Sequence, residues 1–117
     1  MPFVIKKRDS YVWTVEHALE VKQGKPELMV FDAEFKALPQ SKIEQLLERA
    51  RKLEVNDVEM LGEILVGWHG LKNEDGSVFE YNEGNLKRLL EEYPGMAASF
   101  SRAWTASVLG QAAARKN

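Results

Sequence analysis

From Tyr11 to Val21 the chain alternates, with Tyr11, Trp13, Val15, His17, Leu19 and Val21 on one side and Val12, Thr14, Glu16, Ala18 and Glu20 on the other. A period of two is that of a β-strand, whose successive side chains point to opposite faces. Gln23-Gly24-Lys25-Pro26 then joins a glycine free to take positive φ to a proline with no N–H for a ladder, so a turn is predicted there. Beyond it Met29, Phe31, Ala33, Phe35 and Ala37 alternate with Val30, Asp32, Glu34 and Lys36, the pattern of a half-buried antiparallel strand. The two runs predict a β-hairpin. Phe3 to Lys7 is a candidate third short strand, which would help because two strands alone are marginal in water.

After Leu38-Pro39 the period becomes helical. Ser41 with Glu44 reads as a capping box, and Ile43, Leu46, Leu47, Ala50 and Leu53 recur as one apolar stripe, so a first helix is predicted to about Leu53. Asn56 and Glu59 repeat the cap signal, and Val58, Leu61, Ile64 and Leu65 predict a second helix ending near Gly67, with Trp68 just beyond. Gly70 to Tyr81, with Asn73-Glu74-Asp75-Gly76 at its centre, predicts an ordered loop or very small hairpin. Asn82 caps a third helix carrying Leu86, Leu89 and Leu90, which Pro94 and Gly95 end. In a fourth helix Met96, Phe100, Ala103, Trp104, Ser107, Val108 and Gln111 share a face. The expected fold class is α+β, an N-terminal antiparallel β-hairpin or three-stranded sheet followed by about four α-helices. It forms a single domain, 1–117, with a β-rich part over 1–38 and a helical part over 39–117.

A length of 117 residues supports one modest core and not two. With 44% hydrophobic and 29% charged residues the chain is too apolar to stay disordered. Sixteen basic and 18 acidic side chains leave a net charge of −2, which provides no field to attract nucleic acid or anionic lipid. The basic run Lys6-Lys7-Arg8 is followed at once by Asp9, so no nucleic-acid partner is expected. The N-terminus lacks the apolar core of a secretory signal, and no apolar run approaches the roughly 18 residues of a membrane span. A soluble cytoplasmic product is the expectation.

The search for chemistry finds little that converges. The absence of cysteine removes disulfides, thiolate nucleophiles and sulfur-ligated zinc. His17 stands in the apolar register of the first strand and His69 beside Gly70, a spacing without a metal-site pattern. Leu71 to Asn82 matches a calcium loop at Asn73, Asp75 and Gly76, but its ends place Leu71 and Asn82 where a carboxylate and a bidentate Glu are required. The acidic pairs fall at helix starts, turns and solvated faces, and no phosphate-cradling glycine string occurs. No catalytic residue, cofactor or metal is therefore expected, and the chain reads as a non-enzyme. The apolar stripe Met96, Phe100, Trp104 and Val108 is the candidate protein-binding surface, because a helix near the chain end can project and dock elsewhere. Packing within the domain is the ordinary alternative for such a stripe.

Several strings, taken in order, resemble the tail assembly chaperone family of long-tailed phages and prophages. They are Phe31, Phe35 and Leu38 with the Leu-Pro exit, Val66-Gly67-Trp68 with the Asp75-Gly76 turn, and Phe79 and Tyr81 leading to Asn82-Glu83-Gly84-Asn85-Leu86 and Leu89-Leu90. Pro94-Gly95-Met96 then opens an alanine-rich last helix. The resemblance implies a protein that coats the long helical tape measure protein in the bacterial cytoplasm, keeps it soluble and available to the major tail tube protein, and leaves before the virion is finished. It also implies self-association, and a longer product made by a ribosomal frame slip. The ending Ala114-Arg115-Lys116-Asn117 is consistent with a slip, since Lys-Asn codons spell adenine-rich strings; a coding sequence there without repeated adenines would exclude it. The alternative is a structural tail component or tail-completion protein that remains in the particle through permanent subunit contacts.

Overall fold

The computed structural model describes residues 4–5, 7–22 and 24–114. Strands β1 (Ser10–Lys22) and β2 (Lys25–Lys36) form the hairpin, and they are followed by helices α1 (Gln40–Arg51) and α2 (Asp57–Ile64). Strand β3 (Leu65–His69), helix α3 (Glu83–Glu92) and helix α4 (Met96–Ala114) complete an α+β fold around an antiparallel sheet of order β1-β2-β3.

The alternation of the hairpin sets its two faces. Val15 and His17 of β1, with Phe31, Ala33 and Phe35 of β2, are buried on the inner face, and Tyr11 and Trp13 are half-buried there. Cross-strand pairing sets Tyr11 opposite Phe35, Trp13 opposite Ala33 and Val15 opposite Phe31. Each pair thus packs on one side of the sheet. The turn is tighter than the four-residue string suggests: Lys22 already pairs with Lys25 around Gly24, whose φ is +78°. Pro26 therefore lies in β2, inside the irregularity between the Leu19–Glu27 and Lys22–Lys25 pairs.

The third strand is not the one expected near the N-terminus. Val4, Ile5 and Lys7 carry no strand structure, and Phe3 and Lys6 lie outside the described residues. Instead the second helix stops at Ile64 and the chain enters β3 without a loop, pairing Ala33 with Trp68 and Glu34 with Gly67. Leu65, expected in a helix, is the first strand residue, and a bulge between Glu34 and Phe35 takes up the extra residue Val66. The free edge of β2 and the β-propensity of Leu65-Val66 and Trp68 outweigh helical periodicity here.

Caps follow the sequence unevenly. Asn56 accepts a bond from Glu59 N, and the Glu59 carboxylate returns to Asn56 N, completing the predicted capping box. Asn82 likewise caps α3 through Asn85 N. The Ser41–Glu44 box does not form, because α1 begins earlier: Pro39, at φ −65°, is the N-cap and its carbonyl accepts from Lys42 and Ile43. The apolar face of α2 is Met60, Leu61 and Ile64, whereas Val58 is exposed. Leu53, expected in the buried stripe of α1, lies beyond the helix and is also exposed.

Between β3 and α3 the chain makes the expected small hairpin, with Lys72 bridged to Val78 across Gly76 at φ +88°. Its inward residue Phe79 stacks on Trp68, ring centroids 5.5 Å apart and 3° from parallel, while Trp68 Nε1 donates to the Phe79 carbonyl at 2.7 Å. Helix α4 lies on the inner face of the sheet against β1 and packs against α2, closing the core. Among the described residues no helix is long and apolar enough to cross a membrane.

Candidate protein-binding surface

The stripe singled out on α4 is the floor of the core. Met96 and Phe100 are 0% exposed and Trp104 is 1% exposed, while Val108 packs half-buried against them. Phe100 meets Phe31 edge-on at 5.4 Å. Home packing claims this face because the concave side of a three-stranded sheet needs one long apolar helix to cover it. The face is therefore not free for a partner.

Polar side chains fasten the same helix to β1. Ser107 Oγ donates to the Trp104 carbonyl at 2.6 Å, which leaves its lone pairs to accept the Tyr11 hydroxyl, also at 2.6 Å. Burial raises the Tyr11 pKa against the opposing effect of that bond. Higher on the strand, Arg102 Nη2 donates to Ser99 Oγ at 3.0 Å, and Ser99 lies 2.7 Å from His17 Nδ1. An imidazole beside a hydroxyl has the parts of a base and a nucleophile. Here both are buried, the oxygen already accepts from a guanidinium, and Tyr93 meets the imidazole edge-on, so the pair ties strand to helix.

Among the described residues no helix covers the opposite face of the sheet. Its cross-strand pairs are Val12 with Glu34, Thr14 with Asp32, Glu16 with Val30 and Ala18 with Leu28. Val12, Leu28, Val30 and Val66 are exposed on it, beside the carboxylates Glu16, Asp32 and Glu34. The result is an apolar and acidic mosaic. Ser10 Oγ donates to Glu34 Oε2 at 2.6 Å and His69 Nε2 to Glu34 Oε1 at 3.1 Å, bonds that hold the Glu34 carboxyl below its usual pKa, Ser10 more than His69. The carboxylate stands between hydroxyl and imidazole, so no proton path runs from Ser10 to His69 as a hydrolase relay requires.

The carboxylates elsewhere serve local structure. Asp75, matched earlier to a calcium position, accepts from the Ser77 backbone at 2.9 Å, and Asn73 Nδ2 donates to Ser77 Oγ at 3.0 Å. Among the described residues no group of three or more His, Asp or Glu side chains is placed to hold a metal ion. The sequence did carry a signal for the open face. Val12 and Val30 are valines in the polar register of their strands, and an apolar residue there has no core to enter. No family model, no curated protein and no solved structure matches this chain.

Proposed function

We propose that this protein is a tail assembly chaperone, which binds the tape measure protein of a long-tailed phage or prophage in the bacterial cytoplasm and keeps it soluble during tail assembly. The observation that carries the reading is the uncovered outer face of the sheet, where Val12, Leu28, Val30 and Val66 lie among Glu16, Asp32 and Glu34. Such a surface is matched by an amphipathic helix with an apolar ridge and basic flanks, and a long helical tape measure offers many such segments. Each contact is weak and the array is held by multivalency, which self-association of the chaperone increases. No pocket or cofactor enters this mechanism, and a longer frame-slip product would connect the array to the major tail tube protein.

The test is co-expression with the tape measure protein of the same gene cluster, followed by affinity capture and light scattering. A soluble complex with many copies per tape measure chain, where the tape measure alone precipitates, supports the reading. Failure to co-purify, with this chain recovered in finished particles, overturns it in favour of a structural tail component.

A further inference from the structure

The sheet order leaves β1 paired on one side only, so among the described residues a 13-residue strand presents its other edge unpaired. Along such an edge every second residue directs its N–H and C=O away from the partner strand, and natural proteins shield it with proline, lysine, an inward charge or brevity. Between Ser10 and Val21 this strand has neither proline nor lysine, and its inward residues Tyr11, Trp13, Val15 and His17 carry no carboxylate. Beside the edge runs an open groove of about 600 Å³, walled by Trp13 and Glu16 of the strand and by Arg102, Ala103 and Ala106 of α4. Arg102 is exposed there and donates to Ser99 Oγ at 3.0 Å, and among the described residues neither it nor Glu16 has an oppositely charged side chain at ion-pair distance.

We propose that this edge takes up an extended segment of another protein as a fourth, antiparallel strand, one that turns a carboxylate inward to Arg102 and an adjacent basic residue outward to Glu16. The acid stands opposite His17, whose imidazole meets the same Ser99 hydroxyl that Arg102 holds, and the base stands opposite Glu16, whose other neighbour in the sheet is the uncharged Val30. Successive residues of a strand point to opposite faces, so an adjacent acid and base reach the two charges at once. Inward positions further along the added strand, opposite Val15 and Trp13, lie on the side of Ala103 and Ala106, whose small side chains leave room for apolar residues. Charge also selects a foreign strand over the chain's own segments. The inward residues of β1 offer no acid to the Arg102 of a second copy, and Met1 to Lys7 contains no carboxylate at all. The site is distinct from the outer face proposed for the tape measure protein, and it stands or falls separately from that reading.

The test is fluorescence anisotropy of the labelled heptapeptide Thr-Asp-Lys-Val-Thr-Val-Thr, titrated with the full chain. Saturable binding with a Kd below about 1 mM is expected. Exchanging acid and base, as Thr-Lys-Asp-Val-Thr-Val-Thr, keeps the composition and should weaken binding at least about tenfold, and the chain carrying both Arg102→Glu and Glu16→Lys should reverse the preference. N-methylation of alternate peptide amides removes the donors along one edge, so one alternate set should abolish binding and the other should leave it. Val66→Lys, on the far strand of the outer face, should bind the peptide as the parent does. No saturation up to about 1 mM, the result also of an edge already taken by a second copy, would overturn the site. So would equal affinity of the parent chain for the two peptides, equal effects of the two methylated sets, or loss of binding in Val66→Lys. Circular dichroism checks the fold of each variant, and the parent chain with the four peptides decides the question by itself.

Discussion

His17 Nδ1 lies 2.7 Å from Ser99 Oγ, a contact that joins the middle of β1 to the first turns of α4 across 82 positions of sequence. Arg102 Nη2 also donates to Ser99 Oγ at 3.0 Å, so one hydroxyl joins the imidazole of the strand to the guanidinium of the helix. Burial lowers the His17 pKa below 6.5, and the Arg102 charge adds to this. The unfolded chain therefore binds the extra proton first. Stability from this site is complete above about pH 6.5 and is lost as pH falls from there through the folded-state value. Urea unfolding at pH 8.0 and 5.5 should show the loss, and His17→Gln should flatten it; an identical pH dependence in both proteins would exclude His17 as the source.

Leu53 occupies a position that helices usually give to glycine. Its φ is +60°, its N–H bonds to the Ala50 carbonyl, and the next amide, Glu54 N, reaches back to Arg49 O at 2.8 Å, the Schellman pattern at the end of α1. Its side chain is 89% exposed, so its backbone strain gains no burial in return. Leu53→Gly should raise stability by about 1 kcal/mol, the usual cost of a left-handed L-residue set against glycine's greater unfolded entropy. The midpoint of urea unfolding reads this directly, and a lower midpoint would show that the motif needs its leucine.

Trp104 separates the two fates of the α4 stripe. As a core residue at 1% exposure, its replacement by alanine should cost about 3–5 kcal/mol. A binding residue on an open surface would leave stability nearly unchanged and reduce only partner capture. Thermal unfolding of Trp104→Ala decides between them, and a midpoint within a degree or two of the parent would contradict the packing described above.

Legibility in the sequence followed the strength of local physics. Strand alternation from Tyr11 and the caps at Asn56 and Asn82 were readable because period and side-chain chemistry act within a few residues. Leu65 to Gly67 was misread as a helix end, since only pairing with Glu34 and Phe35, about 30 positions earlier, makes it a strand. The α4 stripe was visible as a stripe, but nothing local says which apolar face meets a sheet and which meets a partner. The open outer face was written in Val12 and Val30, and it became recognisable once no element was found to cover them.

Val30 offers the cleanest test of that face, because it is 54% exposed and directly opposite Glu16 on the neighbouring strand. A lysine there would face a carboxylate, a cross-strand pair worth roughly 0.2–1 kcal/mol, so Val30→Lys should fold at least as well as the parent. It would also place a cation in the middle of an apolar and acidic surface proposed to receive basic-flanked helices, opposing the partner by charge and by lost contact area. Captured tape measure protein should fall severalfold while the unfolding midpoint holds. Undiminished capture by a folded Val30→Lys protein would remove the outer sheet face from consideration as the tape measure site, and loss of capture with loss of fold would contradict the surface position assigned to Val30.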